Sequence, residues 1–223
     1  MSPELLRAVE IEPRSAARAA VLWLHGLGAD GHDFEPIVPY LGIPDSLGVR
    51  FVFPHAPRRG VSINMGMIMP AWYDIRDLGL RRDEDEKGIR ESAASVEDLI
   101  ARENERGIPT SKIVLAGFSQ GGAIALHQGL RHEEKLAGIL ALSTYLVLDG
   151  DLESEIAPAN RKTPVFVAHG SMDPMVPFRA GELTTERLRG LGYDVTWHRY
   201  PIGHEVSPEE IRDIGAWLAE RLR

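Results

Sequence analysis

The chain contains no cysteine. This excludes disulfides, thiolate metal sites and a cysteine nucleophile, and it suits a reducing compartment. Long apolar runs are missing too. The longest, around Ala137 to Leu148, is broken by Ser143, Thr144 and Tyr145. It falls short of the ~20 apolar residues that span a bilayer. Met1 to Arg7 shows no basic flank leading into an apolar run, so no signal peptide is expected. A cytoplasmic protein without stable membrane insertion follows as the expectation. Basic residues are outnumbered, 25 Lys and Arg against 33 Asp and Glu, for a net charge of −8. Nucleic acid and anionic membrane surfaces reward Lys/Arg clusters, so neither is an expected partner. No H-E-x-x-H or paired-histidine spacing is present, and no metal is expected.

What is present fits one folded unit. Hydrophobic residues make up 43% and charged residues 26% of 223, an ordinary globular balance, so 1–223 reads as a single domain. Strand-like apolar runs cover Ala19 to His25, Val49 to Phe53, Lys112 to Phe118, Ala137 to Leu142, Pro164 to His169 and Asp194 to Tyr200. Leu5 to Ile11 reads as an antiparallel edge strand. The runs are continuous rather than alternating, which predicts strands covered on both faces. Between them, Ile89, Ala93, Val96 and Ile100 form a helical stripe ended by Gly107 and Pro109. Ala180, Leu183, Leu188 and Leu191 suggest another helix. Ser207-Pro208-Glu209-Glu210 reads as a capping box opening a last one, with Ile211, Ile214 and Leu218 facing inward. The charge-dense segment Arg76 to Arg90 reads as a solvated loop and helix start. Alternating strands and helices predict an α/β fold with a mostly parallel sheet flanked by helices.

One junction carries chemistry. Gly117-Phe118-Ser119-Gln120-Gly121 joins the strand-like Ile113 to Ala116 to an Ala-rich helical run from Gly122. A G-x-S-x-G core between strand and helix is the setting of a nucleophile elbow. Glycines two before and two after the serine remove side chains that would collide in so tight a turn. The pentapeptide alone is weak, because glycine-rich strand–helix turns also bind phosphate. Its partners decide.

Ligands of such sheets sit beyond the carboxyl ends of the strands. Asp173 follows the strand ending at His169, and His204 follows the one ending at Tyr200. Ser119, Asp173, His204 is the chain order of α/β-hydrolase triads. A neutral imidazole can take the serine proton, and a carboxylate can fix its tautomer. Each residue also has a plain reading, Asp173 as a turn residue and His204 as a loop histidine. Among the other histidines, His198 sits within a strand. His25, His55 and His169 lie near strand ends and are candidates to line the site. His127 and His132 read as helix-surface residues, and His32 as a loop residue. An oxyanion hole needs two backbone donors. Gln120 N–H is one, and the glycine-rich loop His25 to Gly31 is the expected source of the other. That loop lacks both the G-x-x-x-x-G-K-[ST] and the G-x-G-x-x-G patterns.

Apart from Met1, the methionines fall in two groups: Met65, Met67 and Met69, then Met172 and Met175. The second brackets Asp173. The first lies in 57–73, an apolar stretch broken by Gly66 and Pro70 that suits a flap or hairpin over the site. Methionine is flexible and polarisable, which suits varied acyl chains, although it also fills gaps in cores. Ile63, Met65, Met67, Ile68, Met69, Trp72, Met172 and Met175 are the expected walls of an acyl groove.

Five ordered motifs carry a resemblance: Leu24 to Gly31, Met69 to Asp74, Ala116 to Ala123, His169-Gly170 with Asp173, and Gly203-His204-Glu205. Together they resemble the phospholipase/carboxylesterase family, which includes bacterial carboxylesterases and acyl-protein thioesterases. Ala141 to Tyr145 resembles the bacterial carboxylesterase branch. The resemblance spans about Leu22 to Trp217. It implies a cofactor-free α/β-hydrolase with Ser119, Asp173 and His204 as triad and the Leu27 and Gln120 amides as oxyanion hole. It also implies small or lipid-like uncharged ester or thioester substrates, and often a homodimer. Met65 departs from the pattern, since similar sequences often carry glycine there. The resulting expectation is a serine carboxylesterase for short- to medium-chain esters. An acyl-protein thioesterase and a lysophospholipase are the alternatives within the class, and an idle ligand-binding hydrolase fold is the alternative outside it.

Overall fold

The computed structural model describes residues 5–77 and 83–223. Met1 to Glu4, and Leu78 to Arg82 of the charge-dense segment, lie outside the described residues. The strands are β1 (Ala8–Ile11), β2 (Ala19–Leu24), β3 (Val49–Pro54), β4 (Arg58–Val61), β5 (Met67–Pro70), β6 (Ile113–Phe118), β7 (Gly138–Leu142), β8 (Val165–Gly170) and β9 (Val195–Tyr200). The α-helices are α1 (Glu86–Glu105), α2 (Gln120–Arg131), α3 (Asp149–Glu155), α4 (Phe178–Gly190) and α5 (Pro208–Arg221). Seven strands form one sheet in the order β1-β3-β2-β6-β7-β8-β9. All neighbours are parallel except β1, which runs antiparallel to β3 at the edge.

Every residue of β2, β3, β6, β7 and β8 is buried, as continuous apolar runs require. Strand alternation sorts their side chains between two layers. Leu22, Leu24, Ile113 and Leu115 pack with Val96 and Leu99 of α1 and Ile124 of α2. Val21, Trp23, Val114 and Ala116 pack with Ile214, Trp217 and Leu218 of α5. The sheet is therefore held between α1 and α2 on one face and α5 on the other. No helix among the described residues is long and apolar enough to cross a membrane.

Helix starts follow local chemistry. Asp85 Oδ1 accepts from Gly88 N at 3.2 Å and caps α1. Ser207 Oγ accepts from Glu210 N at 3.1 Å and caps α5, with Pro208 in its first turn. The other half of the expected box is not made. The Glu210 side chain turns inward, its Oε1 has no hydrogen-bond partner among the described residues, and burial pushes its carboxyl up to about 8. The seven-residue α3 was not expected, because its one buried residue, Leu152, makes no stripe. His127 and His132 correct the surface reading. Both are buried, because α1 packs across α2. His132 Nδ1 sits 2.8 Å from Glu97 Oε2 of α1, and burial lowers the His127 pKa to about 3.

Outside the main sheet, β4 and β5 pair antiparallel from Arg58↔Pro70 to Val61↔Met67. This hairpin occupies the stretch between β3 and Trp72. Met65 lies at its turn with φ 56° and ψ 32°, a left-handed conformation, which gives a backbone reason for the preference for glycine there.

Candidate active site

Ser119 stands between β6 and α2 with φ 54° and ψ −121°, a strained conformation for a residue with a β-carbon. The surrounding bonds over-determine it. Its N–H donates to Leu142 O of β7 at 2.8 Å, and Thr144 Oγ1 donates to its carbonyl at 2.6 Å. A β-carbon at Gly117 would run into Gly121, and one at Gly121 into the carbonyls of Leu24 and His25. These glycines let the first turn of α2 sit directly against the end of β2.

Asp173 follows β8 and His204 follows β9. The Asp173 side chain is fully buried and every contact it makes suits a carboxylate. Oδ1 accepts from the amides of Met175 at 2.8 Å and Val176 at 2.9 Å. Oδ2 lies 2.7 Å from His204 Nδ1. A carboxylate can only accept, so Nδ1 carries the proton and Nε2 keeps its lone pair. The ring of Phe118, next to the serine, packs against the His204 ring with centroids 4.6 Å apart. Ser119 and His204 open into one cavity of about 440 Å³. The structure thus brings the three expected residues to one place: a hydroxyl, a base with its free nitrogen, and a buried acid.

The loop after β2 borders the same cavity, which Gly26 and Leu27 line. Gln120 opens α2, where backbone N–H groups lack helical acceptors. Neither the Leu27 nor the Gln120 amide has a protein acceptor among the described residues. The Gln120 side chain faces the other way. Its Oε1 accepts from Trp72 N at 2.8 Å and its Nε2 donates to Tyr73 O at 2.7 Å.

Of the expected groove residues, Ile63, Met69 and Met175 line the cavity. Met65, Met67, Ile68, Met172 and Trp72 do not. Met65 is 95% exposed at the hairpin turn, and Met67, Ile68 and Met172 also point to solvent. Trp72 is a core residue at 0% exposure, with Nε1 donating to His25 O at 2.9 Å. The segment is apolar as expected, but of its apolar side chains only Ile63 and Met69 reach the cavity, and the hairpin tip stands away from it. Sequence reasoning missed Asn64, Ile75, Phe118, Tyr145, Val176 and Pro177 in the lining. Phe118, Val176 and Pro177 were findable, since they flank Ser119 and Asp173 in sequence. The candidate histidines His25, His55 and His169 do not reach the cavity. His55 Nδ1 accepts from Gly31 N at 3.1 Å. His169 is fully buried behind Asp173, its Nε2 3.0 Å from Val176 O, and burial lowers its pKa.

A mostly parallel sheet with a serine elbow after β6, an acid after β8 and a histidine after β9 defines an α/β-hydrolase. The phospholipase/carboxylesterase family profile matches residues 7–222, and the chain belongs to that family of carboxylic ester hydrolases. It is 45% identical to acyl-protein thioesterase 1 of Gibberella zeae over 213 residues, 92% of this chain and 91% of that protein. It is 44% identical to acyl-protein thioesterase 1 of Neurospora crassa, over 92% of this chain and 87% of that protein. Among solved structures, Zea mays acyl-protein thioesterase 2 is similar, with a TM-score of 0.87 and 27% identity, covering 97% of this chain and 99% of that one.

Proposed function

We propose that the chain hydrolyses acyl esters and thioesters through an acyl-enzyme on Ser119. The observation that carries this reading is the 2.7 Å Asp173–His204 contact beside a strained serine at the mouth of an apolar-walled cavity. His204 Nε2 takes the Ser119 proton as the hydroxyl attacks the acyl carbonyl. The oxyanion is met by the amides of Leu27 and Gln120. His204 then protonates the leaving alcohol or thiol, activates water in its place, and the acid is released. Asp173 holds the imidazole in its tautomer and stabilises its cation.

The same machinery serves an oxoester and a thioester. Two fungal relatives of 44–45% identity named acyl-protein thioesterase 1 favour an acylated protein as the substrate class over a simple short-chain ester. Ile63, Met69, Ile75 and Val176 supply an apolar wall for its chain. The deciding experiment compares kcat/KM on an S-acylated cysteine peptide and on the chain-matched nitrophenyl ester. Turnover of both, with the peptide thioester favoured, is expected. Turnover of the oxoester alone returns the narrower carboxylesterase reading, and turnover of neither overturns the proposal.

A further inference from the structure

His25 directly follows β2 and is 2% exposed, yet it lines no part of the cavity. Its two ring nitrogens face opposite kinds of partner. Nδ1 lies 2.7 Å from Gly26 O, which can only accept. Nε2 lies 3.0 Å from Ala56 N, which can only donate. One tautomer satisfies both: the proton on Nδ1 and a bare lone pair on Nε2. Burial lowers the pKa of the ring and favours this neutral form.

The Gly26 carbonyl and the Leu27 N–H belong to the same planar peptide unit. No cis bond occurs among the described residues, so the two groups point in opposite directions. Holding the carbonyl therefore aims the N–H, and aims it away from His25. The nucleophile is adjacent: a β-carbon at Gly26 would stand 3.5 Å from Ser119 Cβ, and Leu27 and Ser119 line the same cavity. The neighbouring peptides are tied as well. Trp72 Nε1 donates to His25 O at 2.9 Å, and Gly28 N donates to Pro70 O at 2.9 Å.

We propose that His25 is a positioning residue of the oxyanion hole, whose Nδ1–H fixes the Gly26–Leu27 peptide so that the Leu27 N–H faces the reacting carbonyl. The inference rests on the serine-hydrolase reading above. A hydrogen bond on the carbonyl also polarises the peptide and strengthens its N–H as a donor. Negative charge on the substrate oxygen grows in the transition state, so the aim of the donor acts on kcat rather than on KM.

Two substitutions separate this role from mere packing. In His25→Asn the amide nitrogen can reach the place of Nδ1 and donate to Gly26 O, leaving the Ala56 N–H unpaired. In His25→Gln the amide can reach the place of Nε2 and serve Ala56, leaving the Gly26 carbonyl free. Each loses one buried hydrogen bond, so both should be destabilised to a similar degree. Removing a whole oxyanion donor costs about 10²–10³ in kcat, and misaiming one should cost about tenfold or more in His25→Gln at unchanged KM. His25→Asn should recover most of that loss. Equal kcat in the two variants, or losses that follow stability alone, would overturn the inference. If neither variant folds, long-range ¹H–¹⁵N spectra of the wild type decide it. A proton on Nδ1 with a bare Nε2 upholds the proposal, and the opposite tautomer rejects it. Ser119→Ala is measured alongside. Full activity there removes the underlying serine reading, whereas an inactive Ser119→Ala with indistinguishable His25 variants removes only the role of His25.

Discussion

Asp173 divides its carboxylate between two tasks: Oδ2 meets His204 Nδ1 at 2.7 Å, while Oδ1 is held by the amides of Met175 and Val176. An asparagine here keeps an acceptor for the loop but can present an N–H to the imidazole, favouring the wrong tautomer. Asp173→Asn should therefore fold and lose on the order of 10⁴ in turnover. Steady-state kinetics beside Asp149→Asn and Asp151→Asn controls check it. Asp149 pairs with Arg187 at 2.9 Å on the surface, so its loss should leave turnover near wild type.

Ser119→Ala should keep the fold, because alanine enters the same strained turn without the hydroxyl. Residual catalysis of roughly 10³–10⁴ over water would come from binding and the oxyanion donors. A fluorophosphonate should add one adduct to the wild type, mapped by mass spectrometry to Ser119. An adduct on another serine would sink the assignment.

Glu210 should make stability depend on pH. Its folded pKa of about 8 lies above the ordinary carboxylate value of 4.5. Between those values the folded chain holds a proton that the unfolded chain has released, so stability falls as pH rises through this window. Glutamine mimics the neutral acid and has no proton to lose. Glu210→Gln should thus be nearly neutral at pH 4.5 and stabilising by a few kcal/mol at pH 8. Denaturant unfolding at the two pH values measures the difference. A gain that does not grow with pH would mean that Glu210 ionises freely in the fold.

Met65→Gly should relieve a left-handed backbone and raise stability by roughly 1 kcal/mol. Its side chain is outside the cavity, so acyl-chain profiles of the two proteins should superimpose. Met69→Ala, which removes a wall of the cavity, should shift preference toward bulkier or longer chains. If Met65→Gly alone shifts the profile, the hairpin closes on substrate in a way its open geometry does not show.

The central strands were legible because both-face burial writes itself as continuous apolar runs; the serine and acid each follow such a run, and the histidine follows the half-buried β9. The edge strand expected over Leu5 to Ile11 is found as Ala8–Ile11, half-buried and antiparallel to β3. Which hairpin side chains reach the cavity was not legible. Met67 and Met69 share one face of β5, and only Met69, nearer the base of the hairpin, reaches the cavity, a difference of depth that sequence spacing does not show. His127 was misread because its helix is amphipathic in isolation, and the second helix that covers its outer face is set by tertiary packing. The two hydrogen bonds of the His25 ring, to Gly26 and to Ala56, join two loops about 30 residues apart, which no local spacing reveals.

The Gln120 carboxamide grips the backbone of two consecutive residues, the Trp72 N–H and the Tyr73 carbonyl, just beyond the hairpin. The downstream end of the hairpin is thereby moored to the same helix turn that carries the nucleophile, whatever lies between residues 58 and 70. This makes the hairpin an interchangeable part. Loops of other length or polarity can be grafted onto that mooring, so selectivity can diversify while the reaction centre stays put.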